Sequence, residues 1–336
     1  MVFASLSVRM RVDVEALNMV EALGAYGRHR TASILKPRFD GRGYRLIIAP
    51  AVSGQALAYG YMKTLVALAQ MKNLPVCDEC REHEARGGFL KHATSKDETL
   101  SEWKLVEQCI VEDLTGFLVP DAKIRRTSPL SFSYMLPDIE SSNVALDPQF
   151  HVRAPMPGQQ PRPFQVEAGT AVYTVSVFID VGRIGTGYEK VQGGISLKAL
   201  DREKRGERIR VAYEALGCLF EGLTFGAKKA RYLPIYEIVG AIAALSKPLP
   251  FMVNPARLSK NKDYIEDTIS RAERYVSLLK DINEEITIFY FDKEGVYTPS
   301  GAFPANPSVT AVSTFSELIE KLRDETLEWI EAGSGK

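Results

Sequence analysis

The feature that most constrains this chain is an uninterrupted β-branched and aromatic run, Thr170-Ala-Val-Tyr-Thr-Val-Ser-Val-Phe-Ile179. Such side chains are stiff at χ1 and pack well on a pleated surface, so the run predicts a central strand. A second strand signal opens the chain. Ala4, Leu6, Val8, Met10 and Val12 alternate with Phe3, Ser5, Ser7, Arg9 and Arg11. Period two means that one face is buried and the other open, which predicts a half-buried strand with Arg9 and Arg11 on the open face.

Helical signals separate the strands. Ser53-Gly54 caps an amphipathic segment in which Leu57, Tyr61, Leu65 and Leu68 recur at helical spacing, ending near Asn73-Leu-Pro75. The segment before it is basic and Gly-rich, with a short strand at Tyr44 to Ile48. Further on, helices are predicted over 201–220, 265–279 and 314–331, and strands over 235–245 and 285–291. From about residue 76 to 166 the rhythm is lost, with prolines, glycines and one isolated helix around Glu98 to Leu114. These elements predict an α+β fold, a split βαβ sheet of the ferredoxin or RRM type. One core over residues 1–336 would carry an insertion at approximately 76–166 and a smaller helical one at approximately 246–284.

Composition narrows the class. With 336 residues, 45% of them hydrophobic, the chain can bury a real core. Arginines interrupt the amino-terminal run too early for a signal-peptide core, and no apolar stretch approaches the ~20 residues of a membrane span. The expectation is a soluble, cytoplasmic protein with no membrane partner. Four cysteines are too few for a disulfide framework, so they are reduced thiols or metal ligands.

Forty-two basic and forty-two acidic residues cancel, so distribution has to carry any electrostatic argument. Between Ala22 and Ala49 stand Arg28, Arg30, Lys36, Arg38, Arg42 and Arg45 against Asp40 alone. The tail after Ser316 is acidic. That pattern fits a phosphate-tracking face on an otherwise neutral protein, or two solvated faces.

Four short stretches concentrate basic groups among turn-forming residues: Arg28-His-Arg-Thr-Ala32, Arg125-Arg-Thr-Ser128, Gln149-Phe-His-Val-Arg153 and Gly226-Ala-Lys-Lys-Ala-Arg231. Guanidinium forks and backbone N–H groups suit phosphate, and an imidazole suits stacking on a splayed base. The first three also read as surface turns. The fourth is the stronger signal, because glycine beside Lys228, Lys229 and Arg231 lets backbone approach a polyanion.

Taken together, Gly24-x-x-Gly-x-His-Arg-Thr-Ala32, Val52-Ser-Gly-Gln-Ala-Leu-Ala58, Arg125-Arg-Thr-Ser128, Gln149-Phe-His-Val-Arg153, Ala171-Val-Tyr-Thr174 and Gly226 to Pro234 resemble, in order and spacing, the archaeal type I-A CRISPR backbone subunits. These form the DevR-like branch of the repeat-associated (RAMP) proteins. The resemblance spans the chain from first strand to last helix. It implies an RRM-like palm with finger and thumb insertions, copies of which stack head-to-tail along a CRISPR RNA in a Cascade surveillance complex. Other Cascade subunits would be partners, and target DNA would be reached through guide pairing. The resemblance also implies roles for single residues. His29, Arg30 and Thr31 would contact the guide backbone; Arg9, from the open strand face, and Arg28, from the basic stretch, are expected on the RNA beside them. Ser53 and Gly54 would offer a helix N-terminus to a phosphate, and Lys228, Lys229 and Arg231 would form the Gly-rich loop. Arg125, Arg126, Gln149, His151 and Arg153 would belong to the fingers or a neighbour contact.

Two alternatives stand beside that reading. Cys77-Asp-Glu-Cys80-Arg-Glu-His83, with His92 downstream, has the donors of a tetrahedral zinc site; the competing reading is reduced surface cysteines, with no metal or other cofactor. Sister proteins of the resembled family cleave CRISPR RNA with a histidine, which makes His29 a candidate general acid or base. No second group can be assigned to that chemistry, and P-loop, nucleophile-elbow and His-Glu-x-x-His motifs are missing. The expectation is therefore a non-catalytic RNA-binding subunit, with the processing endoribonuclease as the alternative.

Overall fold

The computed structural model describes residues 1–333 apart from 24, 25, 39, 41, 98, 154–159, 161, 260–262, 300–302 and 304; at 21–23, 153, 162 and 333 it describes the backbone alone. Along the chain, β1 (Phe3–Glu15), β2 (Met19–Leu23) and β3 (Tyr26–His29) lead into a ribbon of β4 (Thr31–Pro37) and β5 (Tyr44–Pro50). Then come α1 (Gly54–Met71), α2 (Asp78–Arg81), α3 (Glu102–Gln108) and α4 (Ile110–Thr115), followed by the short strands β6 (Phe117–Val119), β7 (Ile124–Arg126), β8 (Leu130–Phe132) and β9 (Leu136–Pro137). The long strands β10 (Ala145–Arg153) and β11 (Arg162–Asp180) precede a second ribbon, β12 (Thr186–Val191) with β13 (Gly194–Ala199). The chain closes with α5 (Arg202–Glu221), β14 (Ile235–Lys247), α6 (Tyr264–Leu278), β15 (Glu285–Asp292), β16 (Ser308–Val312) and α7 (Phe315–Gly333).

Among the described residues one ten-stranded mixed sheet runs β16-β15-β14-β1-β11-β3-β2, and β8, β9 and β10 also pair with β11. At its centre β1 is antiparallel to both neighbours, from Phe3 opposite Asp180 on β11 and Ser246 on β14. The alternation in β1 sorts its side chains as expected on one face. Leu6, Val8, Met10 and Val12 join Leu57, Tyr61 and Leu65 of α1 and Leu216, Leu219 and Phe220 of α5 in the main core. Ser53, Asp201 and Asp263 cap α1, α5 and α6, each accepting from a backbone N–H in the first turn.

The opposite face of β1 differs from the expectation, because it is covered. The irregular segment 251–256 crosses it, and a second core forms from Ile242, Val253, Ile265, Ile269 and Ile288 beneath α6. The serines of β1 serve this layer. Ser5 Oγ donates to the Phe251 carbonyl at 2.9 Å and accepts from Val253 N–H at 3.1 Å, and Ser7 Oγ accepts from Ala256 N–H at 2.9 Å. Irregular backbone that leaves water must find partners, and small hydroxyl side chains supply them without holding the layers apart. Arg9 is buried here as well. Its guanidinium lies 2.5 Å from Asp138 and 2.5 Å from Glu294, so it is a core ion pair and not a groove-facing cation. Arg11 does reach the surface, beside Glu237 at 3.0 Å.

Other differences have local causes. The helix expected over Glu98 to Leu114 is two helices, because Cys109 takes an extended conformation (φ −146°, ψ 115°) between α3 and α4. The strand expected at Thr170 begins at Arg162, since the polar residues before Thr170 are paired on β10 and β3. Within the stretch 76–166, Val76, Cys80, Cys109, Ile110, Leu114 and Leu130 enter the main core.

A buried carboxylate ties that stretch to α5. Asp113 of α4 is 2.6 Å from Arg126 of β7 and 2.9 Å from Arg208 of α5, and it accepts the Gly185 N–H at 2.9 Å. Arg126 also meets Glu102 at 2.8 Å and the carbonyls of Arg183 and Thr186. It is a buried structural residue, a correction to its expected place at an RNA or neighbour contact. Asp113→Ala would leave two guanidiniums buried without their carboxylate. The expected loss is about 3–5 kcal/mol in chemical denaturation; a change within about 0.5 kcal/mol would show that the network is solvated.

Candidate nucleic-acid interface

Where β11 extends past the end of β1, its neighbours change. Phe164, Gln165 and Val166 are flanked by His151 and Gln149 of β10 on one side and by Tyr26 and Gly27 of β3 on the other. The Gly-rich loop faces this platform, so that Lys228, Arg231 and Tyr232 close a groove of ≈ 570 Å³. Gly226 roots the loop. Its φ is +88°, and a Cβ there would lie 2.6 Å from Leu17 Cδ2, so both backbone angle and space require glycine. Ala227 N–H then donates to the Leu17 carbonyl at 2.8 Å.

The floor of the groove is aromatic. The His151 ring stacks on Phe164 with centroids 5.0 Å apart and 22° between planes, and its Nε2 is 2.8 Å from the Tyr232 hydroxyl. Lys228, Arg231 and, on β3, Arg28 are exposed, and none of the three has a side-chain hydrogen bond or ion pair among the described residues. Stacking surface beside uncommitted cations is the combination that holds a single strand by base faces and phosphates.

The expected site residues therefore divide. Gln149, His151, Lys228 and Arg231 come together in one place. Arg153 ends β10, and its side chain lies outside the described residues, as does Gly24. Lys229 turns inward and donates to the Leu223 carbonyl at 2.6 Å, stabilising the carboxyl end of α5; its pKa is lowered, by burial first and by Lys63 second. Arg125 is exposed elsewhere, in a cleft of ≈ 420 Å³ between β7 and the β12–β13 ribbon. Ser53 is buried; its hydroxyl caps α1 and its N–H donates to Asn18 Oδ1 at 2.7 Å. At Gly54 a Cβ would lie 2.7 Å from the Phe132 carbonyl oxygen, so the amino end of α1 packs against β8. Thr31 is exposed at the start of β4. Arg30 is half-buried, held by backbone bonds to Asn18 and Ala51.

His29, expected on the RNA, is buried. Its Nε2 is 2.8 Å from a Glu15 carboxylate oxygen and its Nδ1 is 2.7 Å from the Arg30 carbonyl, while Tyr173 donates to Glu15 at 2.7 Å. Both ring nitrogens face acceptors, the arrangement of an imidazolium. Burial opposes that charge, but the hydrogen bond and charge of Glu15, then the Arg30 carbonyl and Glu167, outweigh it and raise the pKa above 6.5. This cluster locks β1, β3 and β11 together beneath the groove.

The expected metal donors divide too. Cys77 and Cys80 converge with Cys109, and Cys77 with His92 and Glu112. His83 stands apart from both sets, stacked on Phe89 with its Nδ1 3.0 Å from the Cys80 carbonyl. Sequence reasoning missed Tyr26, Phe164 and Tyr232 in the groove and Cys109 in the thiol cluster. Aromatic residues next to basic ones, Tyr26 beside Arg28 and Tyr232 after Arg231, were the available signal for the groove.

Known proteins agree with this architecture. A family model described as CRISPR-associated negative auto-regulator DevR/Csa2 matches residues 6–269. The chain is similar to the CRISPR-associated aCascade subunit Cas7/Csa2 2 of Saccharolobus solfataricus, at 31% identity over 95% of this chain and 99% of that protein. To the CRISPR-associated protein Cas7/Csa2 1 of the same organism it is 33% identical, over 89% of this chain and 96% of that protein. Among solved structures it is similar in fold to a chain of a CRISPR RNA-guided surveillance complex in a pre-nicking state, with a TM-score of 0.54, 10% identity, and coverage of 96% of this chain and 99% of that one.

The raised His29 pKa has a pH signature. The folded state holds the proton more tightly than the unfolded chain, so the stabilisation is complete below about pH 6.5 and is lost as pH rises through the folded value. His29→Gln should cost about 1.5–3 kcal/mol at pH 6, and the gap to wild type in urea denaturation should shrink above neutrality. A gap that widens with pH would mean a neutral ring.

Proposed function

From its membership of the CRISPR-associated DevR/Csa2 family, we propose that this chain is a non-catalytic, CRISPR RNA-binding backbone subunit of a type I-A Cascade complex. The groove carries the reading. Lys228, Arg231 and Arg28 hold phosphates, and the His151–Phe164–Tyr232 cluster with Tyr26 supports an unstacked base. The protein contributes affinity and the guide contributes sequence, so target DNA is engaged through pairing with the RNA. An RRM-like core suits this task. In its support, β14, β1, β11 and β8 are consecutive and mutually antiparallel, with α1 between β1 and β8 in the chain and α5 between β11 and β14.

Copies stack head-to-tail along the guide. Leu46 and Ile48 on one face of the β4–β5 ribbon are 64% and 70% exposed, opposite Leu35 at 60%, an apolar strip of the kind that a neighbouring copy covers. Arg38 and Arg42 extend the same ribbon, while Glu320, Asp324, Glu328 and Glu331 are exposed on α7. Complementary surfaces at two places on one chain make a heterologous contact, which propagates as a filament. Other Cascade subunits would cap the stack. No helix among the described residues is long and apolar enough to cross a membrane, which is compatible with work in the cytoplasm beside nucleic acid. Absence of catalysis is supported by His29, the candidate acid or base, whose side chain is fully buried against Glu15.

Titrating the purified chain onto labelled CRISPR RNA tests the reading through complex mass and strand integrity together. The expected result is stepwise growth on intact RNA. The double substitution Lys228→Ala and Arg231→Ala should weaken binding and flatten the slope of log affinity against log salt by about 1.4, two phosphate contacts on a single strand. A discrete cut abolished by His151→Ala would replace the backbone reading with the processing nuclease.

A further inference from the structure

The part of the molecule that RNA binding does not use is the thiol cluster behind α1. Cys77, Cys80 and Cys109 bring their sulfur atoms within 4.8 Å of one another, and Cys77 shares the same spacing with His92 Nδ1 and a Glu112 carboxylate oxygen. In a tetrahedral zinc site with Zn–S near 2.3 Å the ligand atoms stand roughly 3.8 Å apart. The three sulfur atoms therefore need only small adjustments to enter a coordination sphere, while His92 Nδ1 would exchange its 2.6 Å contact with Glu112 for the metal. From this geometry we propose that the chain binds one structural zinc ion through the thiolates of Cys77, Cys80 and Cys109 and Nδ1 of His92.

Three features of the surroundings favour a cation over a set of inert thiols. The first is the helix break at Cys109. The chain goes extended at this one residue, and its sulfur stands beside the Cys-x-x-Cys knuckle. The second is Glu112. It is fully buried, and its Oε2 has no hydrogen-bond partner among the described residues, although an unpaired buried carboxylate oxygen is costly. The third is how the remaining donors are held. His92 N–H donates to Glu79 at 2.6 Å, which fixes the loop that presents the imidazole. Lys91, half-buried and donating to Thr115 at 2.8 Å, has its charge within reach of Cys80, Cys109 and Glu112, and would offset the net negative charge of three thiolates on a divalent ion.

The metal would staple the start of the irregular stretch after α1 to the α3–α4 corner. These are also joined by the Ile110 N–H bond to the Pro75 carbonyl at 2.9 Å. That corner carries Asp113, so the staple and the Asp113–Arg208 pair hold the same element from two sides. His83 is no ligand on this geometry, and Cys218, exposed on α5, is far along the chain from the cluster and outside it.

Elemental analysis of the full chain, purified with reductant after growth with zinc, should find about one zinc per chain. Exchange with Co²⁺ should give the intense visible bands of a tetrahedral complex, with thiolate-to-cobalt charge transfer scaled to three sulfurs. Cys218→Ser and His83→Gln should keep the metal, while Cys109→Ser and His92→Ala should lose it or bind it at least tenfold more weakly. Should Cys109→Ser fail to fold, thiol labelling of the wild type decides: the zinc form should expose Cys218 alone, and a strong chelator should release the other three. A wild-type chain that takes up neither Zn²⁺ nor Co²⁺ from excess overturns the proposal. So does a disulfide among the three cysteines, or full zinc retention by Cys109→Ser.

Discussion

The structure hangs from the backbone of β1, which is hydrogen-bonded on both edges, to β11 and to β14, and dry on both faces from Phe3 to Met10. A strand in that position leaves no choice of register, since a slip of one residue would drive Leu6, Val8 and Met10 out of the main core and push serines and an arginine into it. Everything that touches RNA in the proposed reading is fixed relative to this strand. β11 carries the groove floor from it, Leu17 just past its end anchors the Gly-rich loop, and Glu15 at its last position clamps His29.

Elements whose signal is local were legible from sequence. The cap and helical period of α1 depend on residues three or four apart, and the structure places α1, α5, α6 and α7 within a few residues of the prediction. Charged residues were harder, because a charge in a sequence does not say where its partner is. Arg9 pairs with Asp138 and Glu294, which are 129 and 285 residues away. Arg126 and Arg208 meet at Asp113 only after α4 has packed on α5. His29 lies among arginines in the sequence, yet faces the opposite way from Arg28 on the same strand. Alternation reports which side a residue takes, and it cannot report that a distant segment later covers that side.

The same burial explains how a chain of zero net charge can serve a polyanion. Arginines that the composition counts as basic are neutralised inside by carboxylates, which removes both signs from the surface. The exposed remainder is divided in space, with cations at the groove and along the β4–β5 ribbon and acids on α7. Net charge is the sum over all of these, and therefore a poor guide to any one face.

β11 has nineteen residues and is about 60 Å long at the usual rise per residue. Its inner part is bolted into the sheet and its outer part is one wall of the groove, so that wall behaves as the fixed jaw of a clamp. The opposite jaw is different in kind. Between the Ala227 bond to Leu17 and the start of β14 at Ile235, the chain carries Lys228 and Arg231 on a short turn, tied through Tyr232 to His151 and through Lys229 to the Leu223 carbonyl. In the proposed reading, a strand in the groove lies between one wall that belongs to the sheet and one that belongs to a turn.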